Sequence, residues 1–247
     1  MATVVIIPGS FASPSMYDSL AESLSRNGIQ SEVVDLPSVG RRQDKPPATM
    51  ADDVNEIVSV VEKLLDQHRQ VLILTHSYGG VPGTQSLEKL SCKARQAGGK
   101  KGGVDKIIYM SAVVLPVGGA VLALLEAPEF LKIEDDYMTL EPECAPFVYS
   151  DFTPEEALKL AKAMPQHSTA AYRDQLTYAG YEDVEVDYIV CEEDKLILPV
   201  YQYGMVDFLK GAAKGEVGLH KLQSGHAPNL SQPENVTKIV KEVIGKK

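Results

Sequence analysis

The sequence has few cysteines and only short apolar runs near its start. Its 247 residues include three cysteines, Cys92, Cys144 and Cys191, an odd number with neither a pairing framework nor a metal-ligand spacing. The apolar run Val4 to Ile7 is too short for a signal peptide or a spanning helix, and no basic segment precedes it. We therefore expect a cytoplasmic protein that does not insert into a membrane.

Positive charge is also scarce. The chain has 24 Lys and Arg against 34 Asp and Glu, a net charge of −10. Such a chain gains no favourable counterion release from nucleic acid and no attraction from an anionic lipid surface. It also lacks a Gly-x-Gly-x-x-Gly fingerprint and a phosphate-binding Gly-Lys-Thr/Ser loop, so we predict no cofactor and no metal ion. Small neutral molecules are the expected partners, and a homodimer is compatible with a sequence that does not specify the oligomeric state.

Strand and helix patterns alternate along most of the chain. Hydrophobic residues make up 44% of it and charged residues 23%, which is typical of a globular protein. Apolar runs predict strands at 4–7, 31–36, 71–74, 106–110, 184–191 and 218–222, with amphipathic helical stripes between most of them. Because parallel strands need crossover connections, this alternation predicts an α/β protein with a doubly wound, mostly parallel sheet.

The alternation stops between residues 117 and 184. This stretch has an apolar segment, 121–131, and a helix that Thr153 begins, but no strand signal of comparable strength. We interpret it as a small, mainly helical cap within a single domain of residues 1–247, whose core is 1–116 and 185–247. An ordinary pair of crossover helices is the alternative. A cap would lie over the strand ends, where ligand crevices form, and the tentative pocket residues are Phe11, Val117, Val121, Leu125 and Phe130.

Ser77 lies between an apolar strand and a helix, in the segment THSYGG. A tight strand-to-helix turn pushes a serine hydroxyl out of the sheet, and Gly79 and Gly80 allow the turn to close. The start of the helix also offers the Tyr78 N–H for developing negative charge. One departure from the usual Gly-x-Ser-x-Gly pattern is Thr75, which holds the place of the first glycine. Since serine also caps helices for structural reasons, the motif alone is weak.

Longer segments carry a resemblance to the α/β-hydrolase superfamily over nearly the whole chain. They are VVIIPGSFASPSMYDSL, similar to the strand and oxyanion turn of that fold, THSYGG, similar to its nucleophile elbow, and GHAPNLSQPENV, similar to its histidine loop. The segment YIVCEEDKLILP resembles the acid loop of plant methylesterases and hydroxynitrile lyases, and LPSVG and HSYGGVPG look like short fungal hydrolases. The resemblance implies an α/β-hydrolase fold, with the cap inserted after the sixth strand, and a cofactor-independent enzyme.

The resemblance also implies a role for each candidate residue. Ser77 would be the nucleophile, His226 the general base and Asp194 the acid that orients the imidazole, in the chain order of hydrolases with this fold. Glu192 and Glu193 precede Asp194, but the family spelling Glu-Asp-Lys places the acid on Asp194. The backbone N–H groups of Ser10 and Tyr78 would form the oxyanion hole. His76 is predicted to pack with its side chain away from the pocket, and His167 to lie on the cap surface or against substrate.

The expected activity is that of a serine hydrolase, an esterase or lactonase acting on a small, largely apolar molecule through an acyl-enzyme on Ser77. Two alternatives stay open: carbon–carbon lyase or cyclase chemistry on the same fold, and a non-catalytic small-molecule receptor. The lyase is disfavoured because Ala227 and Gly9 stand where hydroxynitrile lyases resembling this chain carry a lysine and a threonine.

Overall fold

A parallel six-stranded sheet forms the centre of the protein. The structure is a computed structural model and describes residues 2–124 and 128–245. The strands in these residues are β1 (Ala2–Ile7), β2 (Gln30–Val33), β3 (Gln70–His76), β4 (Lys106–Met110), β5 (Leu131–Glu134), β6 (Tyr137–Leu140), β7 (His167–Ser168), β8 (Glu185–Cys191) and β9 (Gly218–Leu222). The sheet has the order β2-β1-β3-β4-β8-β9, and each neighbouring pair in it is parallel. The predicted doubly wound α/β fold is confirmed.

Helices cover both faces of the sheet. They are α1 (Asp18–Arg26), α2 (Met50–Asp66), α3 (Gly80–Leu90), α4 (Cys92–Ala97), α5 (Ala145–Val148), α6 (Pro154–Lys162), α7 (Thr169–Arg173), α8 (Pro199–Ala212), α9 (Pro228–Ser231) and α10 (Pro233–Gly245). Short 3-10 helices lie at Pro14–Tyr17, Ser77–Gly79, Val121–Leu124, Pro142–Cys144 and Gly180–Glu182. No helix within residues 2–124 and 128–245 is long and apolar enough to cross a membrane.

Alternate residues of the central strands of the sheet enter two separate cores. In β1, Val4 and Ile6 pack in a cluster with apolar residues of α1 and α10, whereas Val5 and Ile7 pack in a second cluster with residues of α2, α3 and α8. Successive side chains of a strand point to opposite faces, so a strand covered on both faces needs an unbroken apolar run. This is the physical reason why the apolar runs of the sequence predict the sheet.

The strand order changes direction beside β1, and this determines where the site lies. From β1 the chain first adds β2 on one side and then β3, β4, β8 and β9 on the other. The chain therefore leaves β1 and β3 towards opposite sides of the sheet at its carboxyl edge, which places the switch point beside the turns that follow these two strands. Open α/β sheets bind their ligands at such switch points.

The 117–184 segment differs in two respects from its prediction. It follows β4, the fourth strand in chain order, rather than a sixth, because only three strands of the sheet precede β4 in this chain. It also contains a three-stranded antiparallel sheet in the order β5-β6-β7, although more of its residues are in helices than in strands. These strands have two to four residues each and pair along a partly exposed ribbon, so they are too short to give a periodic signal.

Candidate active site

Ser77 occupies a strained turn at the end of β3. Its φ is 51°, in the left-handed region that non-glycine residues rarely adopt. The next turn of backbone lies so close to β1 that a Cβ on Gly79 would come within 2.4 Å of the Pro8 carbonyl oxygen and 2.5 Å of the Ile7 carbonyl oxygen. Only glycine fits this approach. The Ser77 side chain remains half-buried beneath the opening of a cavity, as a nucleophile requires.

Thr75 fits the elbow because a glycine faces it from α3. A Cβ on Gly83 would lie 2.6 Å from Thr75 Cγ2, which is closer than real Cβ contacts come. The threonine methyl therefore fills the volume that a side chain at position 83 would otherwise take. Its hydroxyl donates to the Ile108 carbonyl oxygen at 3.2 Å, so the buried polar atom is satisfied. The departure at position 75 leaves the elbow geometry intact.

Ser77, His226 and Asp194 form one hydrogen-bonded line. The His226 Nε2 to Ser77 Oγ distance is 3.1 Å, and the His226 Nδ1 to Asp194 Oδ2 distance is 2.8 Å. Each side chain follows a strand of the sheet at its carboxyl end, after β3, β8 and β9. The structure thus brings these three residues together, although Ser77 and His226 are 149 positions apart in the sequence.

The Asp194 carboxylate is held as an anion in a buried position. One oxygen accepts the backbone N–H groups of Leu196 at 2.8 Å and Ile197 at 2.9 Å. Its other oxygen accepts from His226, from the Ser111 hydroxyl and from Gln202 Nε2 at 3.1 Å. Burial opposes the charge, but His226 and these hydrogen bonds outweigh it, so the pKa of Asp194 lies below its ordinary value.

Ser111 is a residue of the site that the sequence analysis did not find. It follows β4 and is fully buried, and its Oγ lies 3.3 Å from His226 Nδ1 as well as against Asp194. Its φ of 42° is also left-handed, as is the 57° of Phe11 on the turn after β1. Strained backbone of this kind clusters at functional sites. A hydroxyl residue at a strand end gives no sequence signal by which to assign it.

The line of three residues opens into a cavity of about 1070 Å³ with mostly apolar walls. Phe11, Val121 and Phe130 line it, as does much of the 117–184 segment. Val117 is not among the described lining residues, and it is 55% exposed, which corrects its assignment to the pocket wall. Leu125 lies outside the described residues. Lys195 is the one Lys, Arg, Asp or Glu in the described lining, so the wall offers little to a charged substrate.

The turn after β1 faces Ser77 directly. A Cβ on Gly9 would lie 2.9 Å from Ser77 Cβ, so this backbone lies against the Ser77 side chain. Ser10 and Tyr78 both line the cavity beside Ser77. The Ser10 hydroxyl is hydrogen-bonded to the Tyr172 hydroxyl at 2.5 Å.

A buried carboxylate supports the Tyr78 ring. The Tyr78 hydroxyl donates to Asp53 Oδ2 at 2.7 Å, and Ser38 donates to the same carboxylate through its N–H at 2.9 Å and its hydroxyl at 2.7 Å. Asp53 is on α2 and completely buried. Burial raises its pKa to about 6, since the Ser38 and Tyr78 hydrogen bonds only partly offset the desolvation of the charge.

Asp53→Asn is therefore expected to change stability in a pH-dependent way. The folded state holds the Asp53 proton more tightly than the unfolded state, so the wild type loses stability as pH rises from about 4 to about 6. An amide cannot ionise, and its NH2 can donate to both hydroxyls. Relative to wild type, the free energy of unfolding of Asp53→Asn should rise by about 2 kcal/mol between pH 4 and pH 7 in urea titrations.

Asp52→Asn is the matched control on the same helix. Asp52 accepts the Thr49 N–H in a capping box, and this bond lowers its pKa. The sign is reversed there: the carboxylate stabilises the fold above its ordinary pKa, and this stabilisation is lost as pH falls. The free energy of unfolding of Asp52→Asn should therefore fall further below that of wild type as pH rises. If the free energies of unfolding of Asp53→Asn and wild type differ by the same amount at every pH, the raised pKa of Asp53 is contradicted.

Two further histidines differ in position from their predictions. His76 is buried, as a packing residue should be, but it lines the cavity, so its side chain does not point away from the pocket. Both its ring nitrogens are hydrogen-bonded. His167 lies among the rings of Phe11, Tyr78 and Tyr172 rather than on a surface or at the cavity wall. Burial lowers the pKa of His167 to about 3, so the ring is neutral and packs as an aromatic.

The described residues contain no group of three or more His, Cys, Asp or Glu side chains that could hold a metal ion. The three cysteines are free, with Cys144 and Cys191 buried and Cys92 exposed.

Comparison with known proteins agrees with this geometry. The model of the Alpha/beta hydrolase family matches residues 4–239, which is most of the chain. The chain belongs to the alpha/beta hydrolase family. This membership identifies it as an enzyme, a hydrolase, and accounts for the order of strands and the position of the elbow.

Curated relatives of this alpha/beta hydrolase include two fungal proteins. It is 33% identical over 246 residues to "Probable hydrolase R7" of Phoma sp., with 98% of each chain covered. It is 24% identical over 248 residues to "Alpha/beta hydrolase nvfD" of Aspergillus novofumigatus, with 98% of this chain and 96% of the relative covered. The resemblance to fungal hydrolases and to the α/β-hydrolase superfamily is confirmed.

Solved structures with the same fold include plant enzymes. Polyneuridine aldehyde esterase matches with a TM-score of 0.78 at 20% identity, covering 99% of both chains. The methylesterase MES16 from Arabidopsis matches with a TM-score of 0.74 at 21% identity, again covering 99% of both. The pyrethroid hydrolase PytH matches with a TM-score of 0.77 at 16% identity, covering 99% of this chain and 97% of PytH. At these identities the matches show that this alpha/beta hydrolase shares their fold.

Proposed function

We propose that this enzyme hydrolyses a carboxylic ester or lactone of a small, largely apolar molecule through an acyl-enzyme on Ser77. The observation that carries the proposal is the hydrogen-bonded line from Asp194 through His226 to Ser77 at the floor of an apolar cavity. Such a line activates a hydroxyl that is otherwise a weak nucleophile. The names of the structural relatives, an esterase, a methylesterase and a pyrethroid hydrolase, support the same reaction class.

Each step of the reaction has a residue in position. Ser77 Oγ attacks the acyl carbon while His226 Nε2 accepts its proton, and Asp194 stabilises the resulting imidazolium. The carbonyl oxygen becomes an oxyanion that accepts hydrogen bonds from the N–H groups of Ser10 and Tyr78. Collapse of this intermediate breaks the ester bond, and the leaving alkoxide takes the proton from His226. Water then attacks the acyl-enzyme with His226 again as base, which releases the acid and restores Ser77.

The cavity restricts the substrate class. Its volume of about 1070 Å³ is at the upper end for small-molecule sites, so it has room for a molecule much larger than a simple acetate ester. Burial of apolar surface is the main contribution such a wall can make to binding, and charged substituents would lose hydration without gaining partners. We propose that residues 117–184 act as a cap of a single catalytic domain and select for apolar substrates. The three free cysteines suit a reducing compartment, and we place the reaction in the cytoplasm.

A fluorophosphonate probe tests the nucleophile. Ser77 Oγ should attack the phosphorus of the probe and expel fluoride, so peptide mass spectrometry of folded wild type should locate the label on Ser77. Heat-denatured protein should stay unlabelled, because the label depends on the assembled site. Ser10→Ala is the control, since it removes a neighbouring pocket hydroxyl but keeps the backbone N–H, and it should still be labelled. A folded wild type without label would contradict the serine hydrolase proposal.

A substrate panel separates the remaining functions. Esters and lactones of graded chain length should be hydrolysed, with kcat/KM rising as apolar length increases. Cyanide release from mandelonitrile-type substrates without ester cleavage would instead indicate the carbon–carbon lyase. Ligands that raise the melting temperature without turnover would indicate a receptor.

A further inference from the structure

His76 links two loops of the site through hydrogen bonds of its ring. Its Nε2 lies 2.8 Å from the backbone carbonyl oxygen of His226, and its Nδ1 lies 2.7 Å from the Tyr17 hydroxyl. The Tyr17 oxygen in turn lies 2.9 Å from the backbone N–H of Gly9. This chain of groups, which we term the Tyr17–His76 link, runs from the oxyanion turn after β1 to the histidine loop after β9.

The hydrogen bonds of the link can run in only one direction. A carbonyl oxygen accepts, so His76 Nε2 carries the proton and donates to His226. His76 Nδ1 then accepts from the Tyr17 hydroxyl, whose oxygen accepts the Gly9 N–H. Burial, and the neighbouring His226, lower the pKa of His76 to about 3, and burial raises the pKa of Tyr17 above its ordinary value. Both side chains stay neutral, and the ring is held in one tautomer.

The loops that the link joins come from distant strands. β1 and β9 are separated in the sheet by β3, β4 and β8, so no hydrogen bonds of the sheet join these two strands directly. The link contacts the backbone of Gly9, one residue before Ser10, and the backbone of His226 itself. The oxyanion donor and the general base must converge on the same acyl group within a fraction of an ångström.

The neutral state of His76 also suits the reaction. The His76 and His226 rings are 5.0 Å apart between centroids. When His226 takes the proton of Ser77 it becomes a cation, and a second cation at this distance would oppose that step. Because His76 bonds to the carbonyl of His226 rather than to its ring, it orients the loop without competing for the catalytic nitrogen.

We propose that Tyr17 and His76 are positioning residues that hold the general base and the oxyanion turn in register for catalysis. The inference rests on the proposed hydrolase function and extends it to two residues whose side chains bond to each other and to the backbone of Gly9 and His226, not to the side chains of Ser77 and Asp194. It assigns the link a part in the rate of the chemical step rather than in substrate binding.

Tyr17→Phe tests the link, and Tyr109→Phe is the matched control. Both tyrosines are fully buried, and Tyr109 donates or accepts one hydrogen bond, with Thr84 at 2.7 Å, away from the catalytic residues. Loss of the Tyr17 hydroxyl leaves the Gly9 N–H and His76 Nδ1 unpaired. We expect kcat on the best ester to fall by about 10-fold to 100-fold in Tyr17→Phe, with KM within about twofold, because small misplacements of reacting groups have costs of this order. Tyr109→Phe should keep kcat within about twofold.

His76→Gln and His76→Leu test the second member. A glutamine amide can donate to the His226 carbonyl and accept from Tyr17 with the same spacing of its two polar atoms, whereas leucine can do neither. We expect His76→Leu to lower kcat at least as much as Tyr17→Phe, and His76→Gln to recover most of the loss. Equal kcat losses in Tyr17→Phe and Tyr109→Phe, or no rescue by glutamine, would overturn the proposal.

A readout that does not depend on turnover separates this inference from the proposed function. Nitrogen-15 NMR of the histidine rings of wild type should show His76 as the Nε2–H tautomer, neutral down to about pH 4, and Tyr17→Phe should shift its Nδ1 resonance. The other tautomer, or a cationic His76 at pH 5, would overturn the link whatever the activity. An inactive wild type with the expected NMR signature would count against the hydrolase function and the catalytic role of the link, but leave its geometry standing.

Discussion

Ser77→Ala is expected to lower kcat/KM on the best ester or lactone by at least about 10⁴-fold. Alanine removes the only atom of residue 77 that can form the acyl-enzyme, while the cavity, the oxyanion turn and His226 remain. Residual turnover would come from water attacking a bound substrate beside the oxyanion donors, as in triad enzymes that lose their nucleophile. Steady-state kinetics on the same substrate panel would measure the loss, and fluorophosphonate labelling should disappear with it.

Stability should change little in Ser77→Ala. The serine side chain is half-buried, and its hydroxyl is hydrogen-bonded to His226 at 3.1 Å. Alanine accepts the left-handed φ of 51° about as poorly as serine does, so the strain of the elbow is retained. Substrate analogues should still raise the melting temperature of the variant, since the apolar wall is unchanged. Activity above about a tenth of wild type in a folded variant would mean that another group is the nucleophile.

Asp194→Asn is expected to lower kcat by about 10⁴-fold, because an amide cannot hold His226 in the required tautomer. The structure adds a second effect. Every hydrogen-bonding partner of the carboxylate among the described residues is a donor, two to one oxygen and three to the other. Whichever oxygen the NH2 of an asparagine replaces, it would face hydrogen-bond donors instead of acceptors. Each buried group left unpaired in this way costs about 1 to 3 kcal/mol of stability.

Glu193→Gln is the matched control for the acid. Glu193 is the neighbouring carboxylate in the sequence but is exposed, so its charge is solvated and it should keep kcat within about twofold. Thermal unfolding would separate the two effects of Asp194→Asn, because the kinetic loss should persist at temperatures where the variant is fully folded. If Glu193→Gln loses as much activity as Asp194→Asn, the assignment of the acid is wrong.

The sequence predicts the sheet and the placement of Ser77, Asp194 and His226 because both depend on local rules. Apolar runs specify buried parallel strands, and the polar residues that follow them meet at one edge of the sheet. The same rules explain why Ser10 and Tyr78 lie beside Ser77. These inferences need only the order of strands, which the family resemblance supplies.

Other parts of the site could not be predicted, since they depend on contacts between distant residues. Ser111 and Asp194 are 83 positions apart, and Tyr17 and His76 are 59 apart, so neither pair leaves a local pattern. Val117 has the hydrophobicity of a pocket residue, but the direction of its side chain is determined by a turn that composition does not specify. The strands of the 117–184 segment pair with each other, but at two to four residues each they are too short for alternation to give a clear signal.

The Thr75 and Gly83 pair shows that the elbow depends on the volume available between strand and helix rather than on a fixed sequence pattern. The requirement at this crossing of strand and helix is that one of two facing positions be a glycine, and it can be met from either side. A search pattern that demands glycine two residues before the serine would pass over this enzyme. A chain can move between the two solutions only through paired changes, because threonine opposite alanine would overfill the crossing and glycine opposite glycine would leave a void.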